Sequence, residues 1–188
     1  HIIYEERLHG KLETDDMQNM AMAYAVSKEK KREAITEMIT ELCVSGVNAI
    51  VKSEERLQQI RSLFDLDGIT VFSDRGNRLV CRNGNYMAEA PDGRPGFEDE
   101  GYLSLFGDDD IFVESNMIKL RSQNPAAYAV TQEQEVGAAL QCLSRKEGIP
   151  YTMVSFEVFN RNRKWSDKDV TLLTLLGHCI GDLLNYSE

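Results

Sequence analysis

Positive charge is scarce in this chain: 21 Lys and Arg stand against 31 Asp and Glu, a net charge of −10. Such a surface repels phosphate backbones and anionic lipid heads, which argues against nucleic acid or a membrane as a main partner. Long apolar runs are absent too. No stretch approaches the roughly 20 apolar residues needed to cross a bilayer. The opening HIIYEERLHG lacks the basic and apolar blocks of a signal peptide. A cytoplasmic location is expected, and a chain starting at His1 reads as a piece of a longer protein.

Histidine is limited to His1, His9 and His178, and no GxSxG, HExxH, P-loop or GxGxxG pattern occurs. Catalysis has few groups to draw on, so no catalytic residue is assigned and an enzyme is not expected. Cys43, Cys81, Cys142 and Cys179 are scattered, with no CxxC pair, whereas zinc sites show tight paired spacing. Each lies among apolar residues, so four reduced, buried thiols are expected. The acidic runs at 98–100 and 108–110 lack the alternating spacing of a cation-binding loop and read as solvated surface. No metal site and no named cofactor follow.

What is present is a core-forming composition, 42% hydrophobic and 28% charged. Residues 15–52 contain no proline and read as helix, with Ile35, Met38, Ile39 and Leu42 at i, i+3, i+4 and i+7. Met17, Ala21 and Tyr24 extend that stripe upstream until Lys28 and Lys31 break it, so the first part is read as exposed or paired with a partner. Ser53 with acids behind it starts a second helix running to about Leu66. ITVFSD (69–74) and RLVCR (78–82) read as strands around an Arg-Gly-Asn turn. Residues 83–110 are rich in Gly, Asp and Pro and read as a long loop, with a short helical turn at 102–106. IFVES (111–115) is a further strand. Residues 116–134 read as mixed helix with a break or start at Asn124-Pro125.

The last quarter is the most organised. GAALQCLSR (137–145) and YTMVSFEVFN (151–160) form a hairpin across 146–150, and RNRK (161–164) leads into WSDKDVTLLTLLGHCIGDLL (165–184). Ser166 caps that helix, Asp169 at N3 completes a capping box, and Trp165 can staple against Val170. By strand alternation Ala138, Leu140 and Cys142 share one face, and Ala139, Gln141 and Leu143 the other. Val154, Phe156 and Val158 make an apolar face, while Ser155, Glu157 and Phe159 make a mixed one. The apolar faces should pack on the terminal helices. The mixed faces look either toward a cavity or toward solvent.

Helices at both ends of mostly hairpin-linked strands make an α+β architecture. The order, with the passages ERLQQIRSLFDLDGITVFSD (55–74), NPAAYAVTQEQEVGAALQCLSR (124–145), YTMVSFEVFN (151–160) and WSDKDVTLLTLLGHCIGDLL (165–184), resembles a GAF domain over residues 53–188. The resemblance implies a central antiparallel sheet of five to six strands. It places the N- and C-terminal helices on one face, and loops and short helices over the other. It also implies a small-molecule pocket on that second face, for which Thr70, Phe72, Tyr128, Gln141, Ser155 and Glu157 are the candidates. The chain departs from two branches of the family. Cyclic-nucleotide-binding members carry an Asn-Lys pair, then Phe and Asp-Glu, whereas here Arg161 follows Asn160 and the aromatic is Trp165. Bilin-binding members use a Cys beside a His in the pocket region and an Asp-Ile-Pro motif. Here His178-Cys179 lies inside the last helix, where packing is its expected role.

IIYEERLHGKLE (2–13) resembles the tail strand and exit of a GGDEF domain, implying a bacterial cyclic-di-GMP signalling protein. The expected organisation is a preceding-domain tail at 1–14, a signalling helix at 15–52 and the sensor at 53–188. The expected function is sensing and dimerisation, with a ligand signal relayed through the terminal helices to an output domain such as a diguanylate cyclase. A homodimer would pair through Ile35, Met38, Leu42, Leu173, Leu176, Ile180 and Leu183. The alternative is a structural dimerisation domain with no ligand.

Overall fold

A computed structural model of the chain describes residues 2–46, 54–73, 78–82, 85–87 and 99–186, with side chains at 16–46, 55–72 and 99–183. The chain divides into two compact units, residues 1–36 and 37–188. The first unit is the opening part of helix α1 (Ile2–Ser45). Met17, Met20, Met22, Tyr24 and Val26 are each more than half exposed along it, and Ala34 and Ile35 near its end are buried. Lys28 sits over the Tyr24 ring at 4.6 Å, and Arg32 pairs with Glu29 at 2.5 Å. The strand expected within residues 2–13 is therefore helix, continuous into the rest of α1. That removes the conformational basis of the GGDEF likeness.

The same helix ends earlier than its periodicity suggests. Gly46 adopts φ 76° and its N–H donates to the Leu42 carbonyl at 2.9 Å. This is an αL stop, which glycine adopts without a Cβ clash. The remainder of the expected helix, residues 47–52, lies outside the described residues.

The second unit is built on a six-stranded antiparallel sheet. Its strands are β1 (Gly68–Ser73), β2 (Arg78–Arg82), β3 (Asn85–Met87), β4 (Ile111–Glu114), β5 (Val136–Lys146) and β6 (Ile149–Phe159), in the order β3-β2-β1-β6-β5-β4. β3 falls in the stretch read from sequence as loop. The β5–β6 hairpin is tighter than expected. Lys146 pairs with Ile149, leaving only Glu147 (φ 54°) and Gly148 (φ 84°) in the turn. Two positive-φ residues match the right-handed strand twist, as in a type I′ turn.

Helix α2 (Glu54–Phe64) precedes the sheet, and Arg56 ties it to Glu41 of α1 at 2.8 Å. The last helix, α6 (Asp167–Tyr186), packs across β5 and β6. Its start is capped as the sequence implies: Ser166 Oγ accepts from Asp169 N at 3.1 Å, and the Ser166 carbonyl accepts from Val170 N at 2.9 Å. Gly177 and Gly181 bring it close to the sheet. A Cβ on Gly177 would lie 2.6 Å from Cys142 Sγ, and one on Gly181 2.3 Å from Ser144 Oγ. Leu173, Leu176 and Ile180 are buried within the single chain, as are Ile35, Met38 and Leu42, while Leu183 is half-buried. Residues read as a pairing stripe between two copies are thus already covered in one copy, because a helix lying on a sheet shows it the same periodicity as a coiled-coil seam.

The opposite sheet face is covered by short elements: α3 (Glu100–Leu103), a 3-10 turn (Met117–Lys119), α4 (Leu120–Gln123) and α5 (Pro125–Glu133). Asn124 accepts from Ala127 N at 3.0 Å and Pro125 takes the first helical position, so the dipeptide starts α5. Phe72, Tyr102, Phe106, Phe112, Met117 and Leu120 build the core beneath these elements.

One arginine joins three elements. Arg163 donates to the Phe64 carbonyl and, at 2.9 Å, to the Asp65 carbonyl at the end of α2. It reaches Asp169 in the first turn of α6 at 3.2 Å, and its own N–H donates to Ser115 O at 3.0 Å beyond β4. Trp165 stacks beneath it at 4.2 Å and donates its indole N–H to Glu114 O at 3.2 Å.

Gly137 faces backbone, not a side chain that could rotate away: a Cβ there would lie 2.3 Å from the Arg161 carbonyl oxygen. Gly137→Ala is expected to lower stability by about 1–3 kcal/mol in urea denaturation. An unchanged midpoint would show that the β5–β6 exit can relax.

Candidate functional site

Antiparallel register places four side chains in one row across the sheet. Phe112 lies opposite Gln141, Gln141 opposite Ser155, and Ser155 opposite Thr70. The next row of the same face runs Ala139, Glu157, Gly68, and the row on the other side runs Leu143, Met153, Phe72. A polar band therefore crosses the middle of an apolar face. Thr70, Gln141, Ser155 and Glu157 are all buried, Glu157 at 3% exposure. The reading of this mixed face as a solvated one is excluded by that burial. The absence of a side chain at Gly68 makes room for the Phe159 ring, since a Cβ there would lie 2.7 Å from it.

Burial of polar groups demands hydrogen bonds, and the band supplies them. Tyr102 O–H donates to Gln141 Oε1, and Gln141 Nε2 donates to Ser155 Oγ at 3.2 Å. Ser155 Oγ donates to Glu157 Oε1 at 2.8 Å, and Thr70 Oγ1 to Oε2 at 3.5 Å. The donors line up in one direction and end on the carboxylate. Tyr102 is delivered by α3, whose Asp99 cap accepts from Tyr102 N at 3.0 Å, and its ring meets Phe106 edge-on at 5.7 Å.

Above the band is an inner cavity of about 20 Å³, room for about one water molecule. Helix α5 forms one wall with Ala127, Val130, Thr131 and Gln134, one helical face at i, i+3, i+4 and i+7. Tyr102, Gln141 and Glu157 form the floor, and Met117 and Val136 complete the lining. Met117 and Val136 also line an outer cleft of about 220 Å³ together with Asn116, Tyr128, Asn160 and Arg161.

Of the six residues expected to bind a ligand, the structure brings Thr70, Gln141, Ser155 and Glu157 together. Phe72 lies with them on the same face, one row along, in the apolar core beside Met153. Tyr128 is separated from them and lines the outer cleft. Sequence reasoning missed Tyr102, Thr131 and Gln134. The spacing of Thr131 and Gln134 from Ala127 was a readable signal once α5 was placed, whereas the reach of Tyr102 to Gln141 depends on tertiary structure.

The cysteines lie elsewhere. Cys142 is buried on the α6 face of β5, and burial pushes its thiol up to about 12. Cys179 on α6 is half-buried, its thiol raised by burial, and Cys43 is exposed, contrary to the expectation of uniformly buried thiols. The Cys81 side chain lies outside the described residues. Among the described residues no group of three or more His, Cys, Asp or Glu could hold a metal ion, and no helix is long and apolar enough to cross a membrane.

No protein-family model matches this sequence, and no curated protein sequence matches it significantly. Solved structures do match in fold. The far-red absorbing dark state of JSC1_58120g3 with bound biliverdin IXa superposes with a TM-score of 0.56 at 18% identity, over 82% of this chain and 98% of that one. The blue-light absorbing form of the Thermosynechococcus elongatus PixJ GAF-domain gives 0.57 at 13% identity, over 77% and 88%. The chromophore-binding domain of Stigmatella aurantiaca bacteriophytochrome in the Pr state gives 0.57 at 14% identity, over 83% and 60%. The fold is GAF-like: an α+β domain with a central antiparallel sheet flanked by helices. Two of these three are named as light-absorbing and the third as chromophore-binding, and the expectation of a GGDEF and cyclic-di-GMP context is corrected accordingly.

Two outcomes are expected. Tyr102→Phe leaves Gln141 Oε1 short of a donor and should lower stability by about 1–2 kcal/mol in chemical denaturation. In native protein at pH 8, Cys43 should react with a disulfide reagent while Cys142, protonated below its raised pKa of about 12 and buried, should not react until the chain unfolds. Peptide mapping of the labelled sites checks this.

Proposed function

We propose that this chain is a sensory module that takes a small ligand over the polar band and passes a conformational signal through its terminal helices to an attached output domain. The observation that carries the reading is the buried row of Thr70, Ser155 and Gln141 with Glu157 beside it. A face needed only for packing would favour apolar side chains there, since buried polar groups add little net stability. A few convergent polar groups among apolar walls are what a small-molecule site requires. In this reading Tyr102 joins the site, Phe72 closes its apolar end, and Tyr128 stands at the outer cleft. The module binds and does not catalyse.

The GAF-like fold and the chromophore named for one similar structure support a ligand on this face. A cysteine-linked bilin is not the favoured occupant. Among the cysteines whose side chains are described, Cys142 points to the other side of the sheet, and neither Cys43 nor Cys179 is among the residues lining the cavity.

The signal would leave through the helices. Arg163 holds the start of α6 to the end of α2 and to the chain beyond β4, so a shift of the sheet face reaches both helices at once. Binding biases this arrangement only insofar as the ligand prefers one state. Pairing of two copies is assigned to the first unit, where Met17, Met20 and Tyr24 share one exposed face. The residues first expected to pair, Leu173 and Met38 among them, pack within their own chain.

The second reading, a structural dimerisation domain with no ligand, is favoured by the small inner cavity of about 20 Å³. A thermal-shift screen of metabolites separates the two. Saturable stabilisation that is lost when Thr70, Gln141 and Glu157 are made apolar supports the sensor. An unchanged shift in those variants refutes this face as the site. Light scattering after size exclusion should give a two-chain mass for the wild type and a one-chain mass for Met17→Glu/Met20→Glu. A wild-type monomer at high concentration overturns the pairing.

A further inference from the structure

The lining of the inner cavity restricts what can occupy it. Among the described residues it carries one acidic group, Glu157, and no Lys, Arg or His. Its other polar members, Tyr102, Thr131, Gln134 and Gln141, are hydroxyls and carboxamides. A carboxylate or phosphate brought against Glu157 meets a like charge in a place that water screens poorly. A cation there gains the same interaction with the opposite sign. The net charge of −10 acts in the same direction over longer range.

We infer that the inner cavity takes a small organic cation, a primary ammonium group whose N–H donors meet the Glu157 carboxylate, and that it excludes carboxylate and phosphate ligands. This builds on the reading of the polar band as a ligand site. Ser155 and Thr70 already orient the carboxylate by donating to it from below and beside it. Gln141 is held by Tyr102 and Ser155 in a fixed orientation. A divalent metal ion does not suit this set. It would call for several carboxylate or carbonyl oxygens around one point, and the lining supplies a single carboxylate.

Size and access follow from Met117. At 1% exposure it is a partition between the cavity of about 20 Å³ and the cleft of about 220 Å³. Methionine is unbranched and changes rotamer readily. Its movement joins the two spaces without shifting the sheet, giving an ammonium group a way in from the cleft and room for a short carbon chain behind it.

The test is thermal shift with calorimetric titration at constant ionic strength, using methylammonium chloride as the cation and sodium acetate and sodium methyl phosphate as the anions. Methylammonium is expected to stabilise saturably and the anions not at all. Glu157→Gln should weaken methylammonium binding about tenfold or more, since a charge-assisted hydrogen bond is lost. Thr131→Lys, on the half-buried wall of α5, places a tethered ammonium in the cavity and should abolish the response even if Glu157→Gln does not fold. Anion binding equal to or tighter than methylammonium, or a methylammonium response that survives both substitutions, overturns the charge assignment while leaving a ligand site in place. No saturable response to any of the three probes overturns the ammonium assignment, and the metabolite screen then decides the sensor reading separately.

Discussion

The register of the β5–β6 hairpin is the constraint on which the rest of the domain depends. It is set by the two-residue turn at Glu147 and Gly148, where Lys146 pairs with Ile149, together with a one-residue register shift between Ser144 and Arg145 that brings Ser144 opposite Thr152. Side chains alternate along a strand, so a slip of β6 by one residue would turn Ser155 and Glu157 toward α6 and send Val154 and Phe156 to the other face, and a slip of β5 would do the same to Gln141 and Cys142. Both faces of the central strands are buried. A slip would therefore put a carboxylate under a helix and strand apolar side chains in the polar band. The turn is exposed and makes no part of the site, yet the site cannot form without it.

A second constraint comes from the short connection between β6 and α6. Asp67 accepts from Phe159 N at 2.8 Å, Arg161 reaches Asp65 at 3.2 Å, and Arg163 binds the carbonyls at the end of α2. Two arginines in a seven-residue link thus fasten the helix before the sheet to the last one. Arg163 is mostly buried, and that burial lowers its pKa from the ordinary guanidinium value. Asp169 and Asp65 act against that effect. A buried guanidinium that loses its partners is strongly unfavourable, so the joint holds or fails as a unit.

Much of this fold was legible in the sequence because local signals agreed. Ser166 and Asp169 announced the start of α6, Asn124-Pro125 announced α5, and strand alternation sorted the two sheet faces correctly. What escaped was set by distant contacts. β3 carries too few residues to show a period. Tyr102 becomes part of the site only because α3 folds over a strand some forty positions later. The stripe of Leu173, Leu176 and Ile180 was real, but periodicity cannot tell a sheet from a partner helix. Residues 2–13 resembled the tail strand and exit of a GGDEF domain, yet helix formation from Ile2 onward runs through them without a break. Polar residues on a strand could equally have faced water, and only the short helices laid over them decide otherwise.

The close approach of α6 to the sheet has a mechanical meaning. Gly177 and Gly181 present no side chain, and Cys142, Phe156, Ser144 and Thr152 approach them from the sheet. Ser144 and Thr174 keep buried hydroxyls without hydrogen-bond partners at this interface. Large interlocking side chains resist displacement along a helix axis because each must climb out of its groove. The line of Gly177 and Gly181 lacks such teeth, but Leu173, Leu176 and Ile180, buried on the same helix, supply them. The helix is therefore drawn close by its glycines and keyed in place by its leucines, so a displacement of the strands beneath would carry α6 along as one rigid rod.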